Sequence, residues 1–179
     1  MKPTRRNRFR LPVFALLVAW AGFGLAGCGS LLVPKHRVLI DAISAPGVTK
    51  PSGKSYRLVP KRTLASQPVN LPILKACVDA ALGGQGMFEA AAGTPPDMFI
   101  EVSCGRDSAP RADAASRETF LQLSARSNPE RLRDRPSGPE LWDVKASVLG
   151  VAGSIESALP LLSSVGVNYL ATDTRLETT

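Results

Sequence analysis

Three segments of this chain alternate apolar and polar residues strictly enough to fix which face of a sheet each residue occupies. In 141–149 (LWDVKASVL), Trp142, Val144, Ala146 and Val148 share one side, and Asp143, Lys145 and Ser147 the other. In 97–104 (DMFIEVSC), Met98, Ile100, Val102 and Cys104 oppose Glu101 and Ser103, and in 118–126 (ETFLQLSAR) Leu121, Leu123 and Ala125 lie together. A period of two is that of a strand with one buried face. Two further strands are predicted at 37–43 (RVLIDAI) and 54–60 (KSYRLVP), the latter with Tyr56 and Leu58 opposite Arg57, and a short one within 87–91.

Two segments carry the helical period instead. Over 71–82, Leu74, Cys77, Val78, Ala81 and Leu82 form one stripe, which points Cys77 at the core. Asn70 is placed to cap this helix, Pro72 sits in its first turn where a missing N–H costs nothing, and Gly83-Gly84 end it. A second helix is predicted from Ser154 or Ser157 to Leu170, with a stripe of Ile155, Ala158, Leu159, Leu162, Val165 and Tyr169. Pro160 favours the later start. The polar residues 105–116 read as a loop, and 128–140 (NPERLRDRPSGPE), with its mixed charges, as a solvated hairpin connection. Alternating strands beside one-sided helices predict an α+β domain. Its expected form is a mainly antiparallel sheet with two helices packed on one face, a two-layer sandwich.

The N-terminus sets the address. A basic stretch (MKPTRRNRFR), an apolar run over 11–23 and a small-residue end make the three parts of an export signal. The apolar run is shorter than the roughly 20 residues of a spanning helix. Leu25, Ala26, Gly27 and Cys28 resemble the lipobox of bacterial lipoproteins. That resemblance implies diacylglycerol on the Cys28 thiol, cleavage before it, and acylation of the new amino group. Predicted boundaries are therefore a signal peptide over 1–27, a lipidated tether over 28–36, one α+β domain over 37–171 and a flexible tail over 172–179. By the same resemblance, Gly29 in place of an Asp directs the protein to the outer membrane, facing the periplasm. The net charge of +7 is a property of the leader: removing its five bases leaves 17 bases against 15 acids. A nearly neutral domain gives no footprint for nucleic acid.

The lipobox leader, Ser55, Tyr56 and Pro60, the helix before a glycine-rich break, Pro96-Asp97-Met98, and a late Trp strand before a helix containing Leu159-Pro160-Leu161-Leu162 together resemble a domain-of-unknown-function family of small bacterial envelope lipoproteins. The resemblance implies a periplasm-facing α+β domain with no assigned reaction.

The residues available for chemistry narrow the function further. A nucleophile–histidine device needs a histidine in the domain, and the single one, His36, falls in the tether. Zinc is disfavoured for want of four ligands, and no cofactor motif is seen, since Gly83-Gly84-Gln85-Gly86 follows a helix rather than opening one. Cys77 and Cys104 stand either as a disulfide closing a loop of about 27 residues or as two buried free thiols. Asp97, Glu101 and Asp143 are the carboxylates placed on strands. They read as solvated sheet surface, or, in the alternative, as the acids of a cell-wall glycan hydrolase. The expected function is non-enzymatic: a lipid-anchored envelope protein that binds or supports another envelope protein, for example as an auxiliary subunit of a transport or assembly complex. An exposed sheet face or an edge strand would serve as its contact.

Overall fold

The computed structural model describes residues 37–61, 69–107, 118–150 and 153–174. The predicted signal peptide with Leu25, Ala26 and Gly27, the lipidation site Cys28, and His36 lie outside these residues.

The strands are β1 (Val38–Ser44), β2 (Ser55–Pro60), β3 (Phe88–Glu89), β4 (Met98–Asp107), β5 (Glu118–Ser127) and β6 (Glu140–Leu149). They form one six-stranded sheet in the order β1-β6-β5-β4-β2-β3. The class is α+β, but the sheet is mixed rather than mainly antiparallel. β4, β5, β6 and β1 pair antiparallel, whereas β2 runs parallel to both β4 and β3. Side-chain alternation records which face a residue occupies and is blind to strand direction. Parallel neighbours need a long crossover, and the helix between β2 and β3 provides it.

That helix, α1 (Leu71–Gly84), begins as its sequence dictates: Asn70 Oδ1 accepts the Ile73 N–H at 3.3 Å, and Pro72 occupies the first turn. Its end differs from expectation. Both Gly83 and Gly84 are helical, and the left-handed residue is Gly86, at φ 77°. A Cβ there would lie 2.7 Å from Ser52 Oγ, so this glycine also allows the turn at Gly53, whose N–H bonds the Gly86 carbonyl at 2.8 Å, to pack closely.

The second helix is shorter than predicted. A 3₁₀ turn at Ile155–Ser157 leads into α2 (Leu159–Val167), with Pro160 in its first turn as Pro requires. Val165 and Tyr169 do not continue the buried stripe; Gly166, Val167 and Leu170 do. Gly166 faces β6, where a Cβ would stand 3.4 Å from the Ala146 methyl, an ordinary van der Waals contact.

Burial follows the alternation closely. Met98, Ile100, Val102 and Cys104, then Leu121, Leu123 and Ala125, then Trp142, Val144, Ala146 and Val148 are all buried in one cluster with Leu74, Val78, Leu82, Leu159 and Leu162 of the helices. At ~25 cal/mol per Å² of apolar surface removed from water, this cluster is the principal stabilising term. Cys77 departs from its expected place: it is half-buried at the margin of the core, where α1 faces Pro160 and Ser164 of α2.

The connection between β5 and β6 is solvated at its charged residues, as expected, and is also tied down at its base. Asn128, 2% exposed, donates from Nδ2 to the carbonyls of Pro96 and Leu132, and its Oδ1 accepts the Leu132 N–H and the Ser137 hydroxyl. Arg57 on β2 reaches the carbonyls of Arg133 and Thr94. Phe99 on the polar face of the sheet is consequently buried beside Pro136. Beyond α2, Thr174 closes on β1: its N–H donates to the Ala42 carbonyl at 3.0 Å, and its Oγ1 accepts the Ala42 N–H at 3.1 Å.

Candidate functional site

Between α1 and the strands β2 and β4 runs an open groove of about 520 Å³. Leu58 and Pro60 come from β2, Val102 from β4, and Leu71, Leu74 and Val78 from α1. The helical period sets Leu71, Leu74 and Val78 on one stripe; Leu74 and Val78 are buried, while Leu71, at the first helical position, and Ala76 are exposed on the rim. Its polar lining is confined to Lys75 and Asp79. A largely apolar cleft with a few converging polar groups is the usual form of a binding site.

Those polar groups belong to one network. Tyr56, 2% exposed, donates its Oη–H to Asp79 Oδ1 at 2.8 Å, while Lys75 Nζ donates to Asp79 Oδ2 and to Glu89 Oε2, each at 2.6 Å. Burial first, then the Asp79 hydrogen bond, drives the Tyr56 phenol far above its ordinary range and fixes it as a neutral donor. For Lys75, burial works against the cation, but the hydrogen bonds and charges of Asp79 and Glu89 outweigh it and hold the ammonium. Both Asp79 oxygens are thus engaged. The network suits orientation of a ligand better than proton transfer.

The three predicted carboxylates are not brought together. Asp97 is a structural clamp just before β4: Oδ2 accepts the Ser55 N–H at 2.8 Å and the Ser55 hydroxyl at 2.7 Å, and Arg131 Nη1 reaches Oδ1 at 3.0 Å. Burial alone would raise its pKa, but these donors and the Arg131 charge prevail and lower it. It is therefore not the solvated surface acid that alternation implied. Glu101 and Asp143 do lie in one row of the polar face, each opposite Ser124 of β5, which separates them by two strand spacings, about 10 Å. Asp143 accepts Gln122 Nε2 on both oxygens, at 3.0 and 2.9 Å. Cys104 is buried, and burial, then the charge of Glu156, pushes its thiol up to about 11. Cys77 and Cys104 stand as free thiols. Among the described residues no three His, Cys, Asp or Glu side chains form a metal-holding group, and no helix is long and apolar enough to cross a membrane.

The groove is not legible in the sequence, because Leu58, Leu71 and Val102 look there like ordinary strand or helix residues. The usable signal was Leu71-Pro72-Ile73, three apolar residues in a first turn where only one face can be buried.

No protein-family model matches this chain, and no curated protein does. Among solved structures it is similar to a PDZ domain protein from Parabacteroides distasonis, with a TM-score of 0.54 and 14% identity over 88% of this chain. The chain spans 40% of the length of that protein, and the likeness is one of fold. A PelC dodecamer from Paraburkholderia phytofirmans is also similar, with a TM-score of 0.46 and 10% identity over 77% of this chain and 100% of that one.

Proposed function

We propose that this chain is a small bacterial envelope lipoprotein, held by acyl chains on Cys28 at the outer membrane and facing the periplasm. Its two-layer α+β domain binds another envelope protein, as an auxiliary subunit of a transport or assembly complex, and catalyses no reaction. The observation that supports the binding reading is the apolar groove that the described residues form between α1 and β2, with Lys75 and Asp79 of the Tyr56–Asp79–Lys75–Glu89 network in its lining. The leader and Leu25-Ala26-Gly27-Cys28 support the anchor, since two or more acyl chains give stable membrane attachment. The glycan-hydrolase alternative is weakened by the commitment of Asp97 to Ser55 and Arg131.

A photo-crosslinking residue at exposed Leu71, activated in intact envelopes, tests the binding. One discrete heavier species is expected, and it should vanish when Ala76→Arg fills the groove; recovery of the bare monomer alone overturns the reading. Mass spectrometry of the native N-terminus tests the anchor, with a triacylated Cys28 expected and an uncleaved leader opposing it.

A further inference from the structure

On the face of the sheet turned away from the helices, two neighbouring rows of side chains form a smaller hollow of about 180 Å³. Register sets Val59, Glu101 and Ser124 in one row and Phe99, Arg126 and Glu140 in the next. Phe99, 3% exposed, is the apolar floor, and Pro136 of the β5–β6 connection is one wall. Glu140 reaches this face through an irregularity in β6. Ala125 pairs with Trp142 but Arg126 with Glu140, so Leu141 is an extra residue, a β-bulge. Strict alternation would turn Glu140 toward the core with Trp142; the bulge packs Leu141 there instead and sets Glu140 across from Arg126. Re-aiming a side chain in this way is what bulges do beside active sites.

Three charged groups border the hollow without engaging one another. Among the described residues the side chains of Glu101, Arg126 and Glu140 make no ion pair and no hydrogen bond. Asp143, the acid on the other side of Ser124, is by contrast committed to Gln122. We infer that this hollow binds a small zwitterion, a molecule carrying an ammonium and a carboxylate on one short apolar frame. The Arg126 guanidinium, a planar fork, takes the carboxylate in a bidentate pair, with the Ser124 hydroxyl as a further donor. An ammonium has three donors, and Glu101 and Glu140, on the strands flanking β5, supply their acceptors. The frame lies over Phe99 and Pro136. Arg126 opposes a bare metal cation here, and the two acids oppose a simple anion such as phosphate, so a ligand with one charge of each sign is the complement. Size agrees. A hollow of about 180 Å³ has the room of about six waters, well below the roughly 300 Å³ of pockets for larger ligands, and suits a single amino acid or the end of a short peptide.

The test titrates the isotope-labelled full-length chain, held in detergent, with L-leucine and with the dipeptide Ala-Leu, and follows backbone amide shifts by NMR. Saturable shifts are expected at residues 99–101, 124–126 and 140 by roughly 10 mM ligand, with the amides of α1 unmoved. N-acetyl-leucine and leucinamide, each lacking one of the two charges, should bind at least about tenfold more weakly than leucine, and leucine should lose as much on Arg126→Gln. Arg126 is exposed, so this exchange leaves the fold intact, and unchanged amide shifts in β1 and the helices check that it does. Tighter binding of leucine identifies a free amino acid as the ligand, and tighter binding of the dipeptide a peptide end; either bears out the site. Analogues that bind as well as leucine, a variant that binds as well as the native chain, or no saturable shift at these residues overturns it.

Discussion

The two halves of the sheet are built differently. β1, β6, β5 and β4 pair antiparallel along their whole lengths, and their inward residues make most of the core. β2 pairs with β4 over five residues and with β3 over two, and side-chain bonds hold it at its start: Ser55 to Asp97, Tyr56 to Asp79. The first half is stabilised by burial, a non-directional and cooperative term. The second depends on a few directional contacts, each worth ~1 kcal/mol, or 1.5–3 where a charge takes part. Local opening therefore concentrates on the β2 side, beside the groove.

The largest effect should come from cutting the antiparallel half. Trp142 is 1% exposed, and Trp142→Ala is expected to cost ~3–5 kcal/mol in denaturant unfolding. Among the described residues its indole N–H has no acceptor, so Trp142→Phe, which sacrifices no hydrogen bond, should cost only a fraction of that. Equal losses from the two exchanges would contradict a core held by volume alone.

An intermediate effect belongs to the clamp. Asp97→Asn should lose ~1.5–3 kcal/mol, with faster amide exchange over residues 54–58 and unchanged exchange in β5. The folded pKa of Asp97 lies below its unfolded value, near 4. Its contribution is fully present above that value and disappears as pH falls through the folded pKa. The stability gap between the native protein and Asp97→Asn should close on acidification below about pH 4. Glu118, whose pKa is lowered by Ser147, against a smaller opposing effect of burial, and then by Lys145, titrates alike in both proteins and cancels in the difference. A gap that stays constant with pH would refute the clamp.

The smallest effect is kinetic. At pH 8 Cys77, half-buried beside α2, should alkylate at least about tenfold faster than Cys104, whose thiol pKa of about 11 leaves little thiolate. Mass spectrometry of timed iodoacetamide reactions separates the two sites. Matching rates would show that the antiparallel core opens as readily as its margin.

Much of the first half could be read from residues alone. Trp142-x-Val144-x-Ala146-x-Val148 admits one burial pattern, and Asn70 with Pro72 admits one helix start. The β2 side resisted for physical reasons. SYRLVP looks the same in a parallel or an antiparallel pair, and the Ser55–Asp97 contact joins positions 42 apart with nothing local to announce it. The anchor after β5 was hidden in the same way, since the four bonds of Asn128 depend on where Pro96 and Leu132 arrive in space.

Thr174 has one more consequence. By occupying both backbone groups of Ala42, it interrupts the outer rim of β1, where a second molecule could otherwise zip on as an added strand. In copies trimmed before that threonine the Ala42 N–H and carbonyl would lose these partners, and greater self-association of the shortened chain, measured by sedimentation, is the expected result.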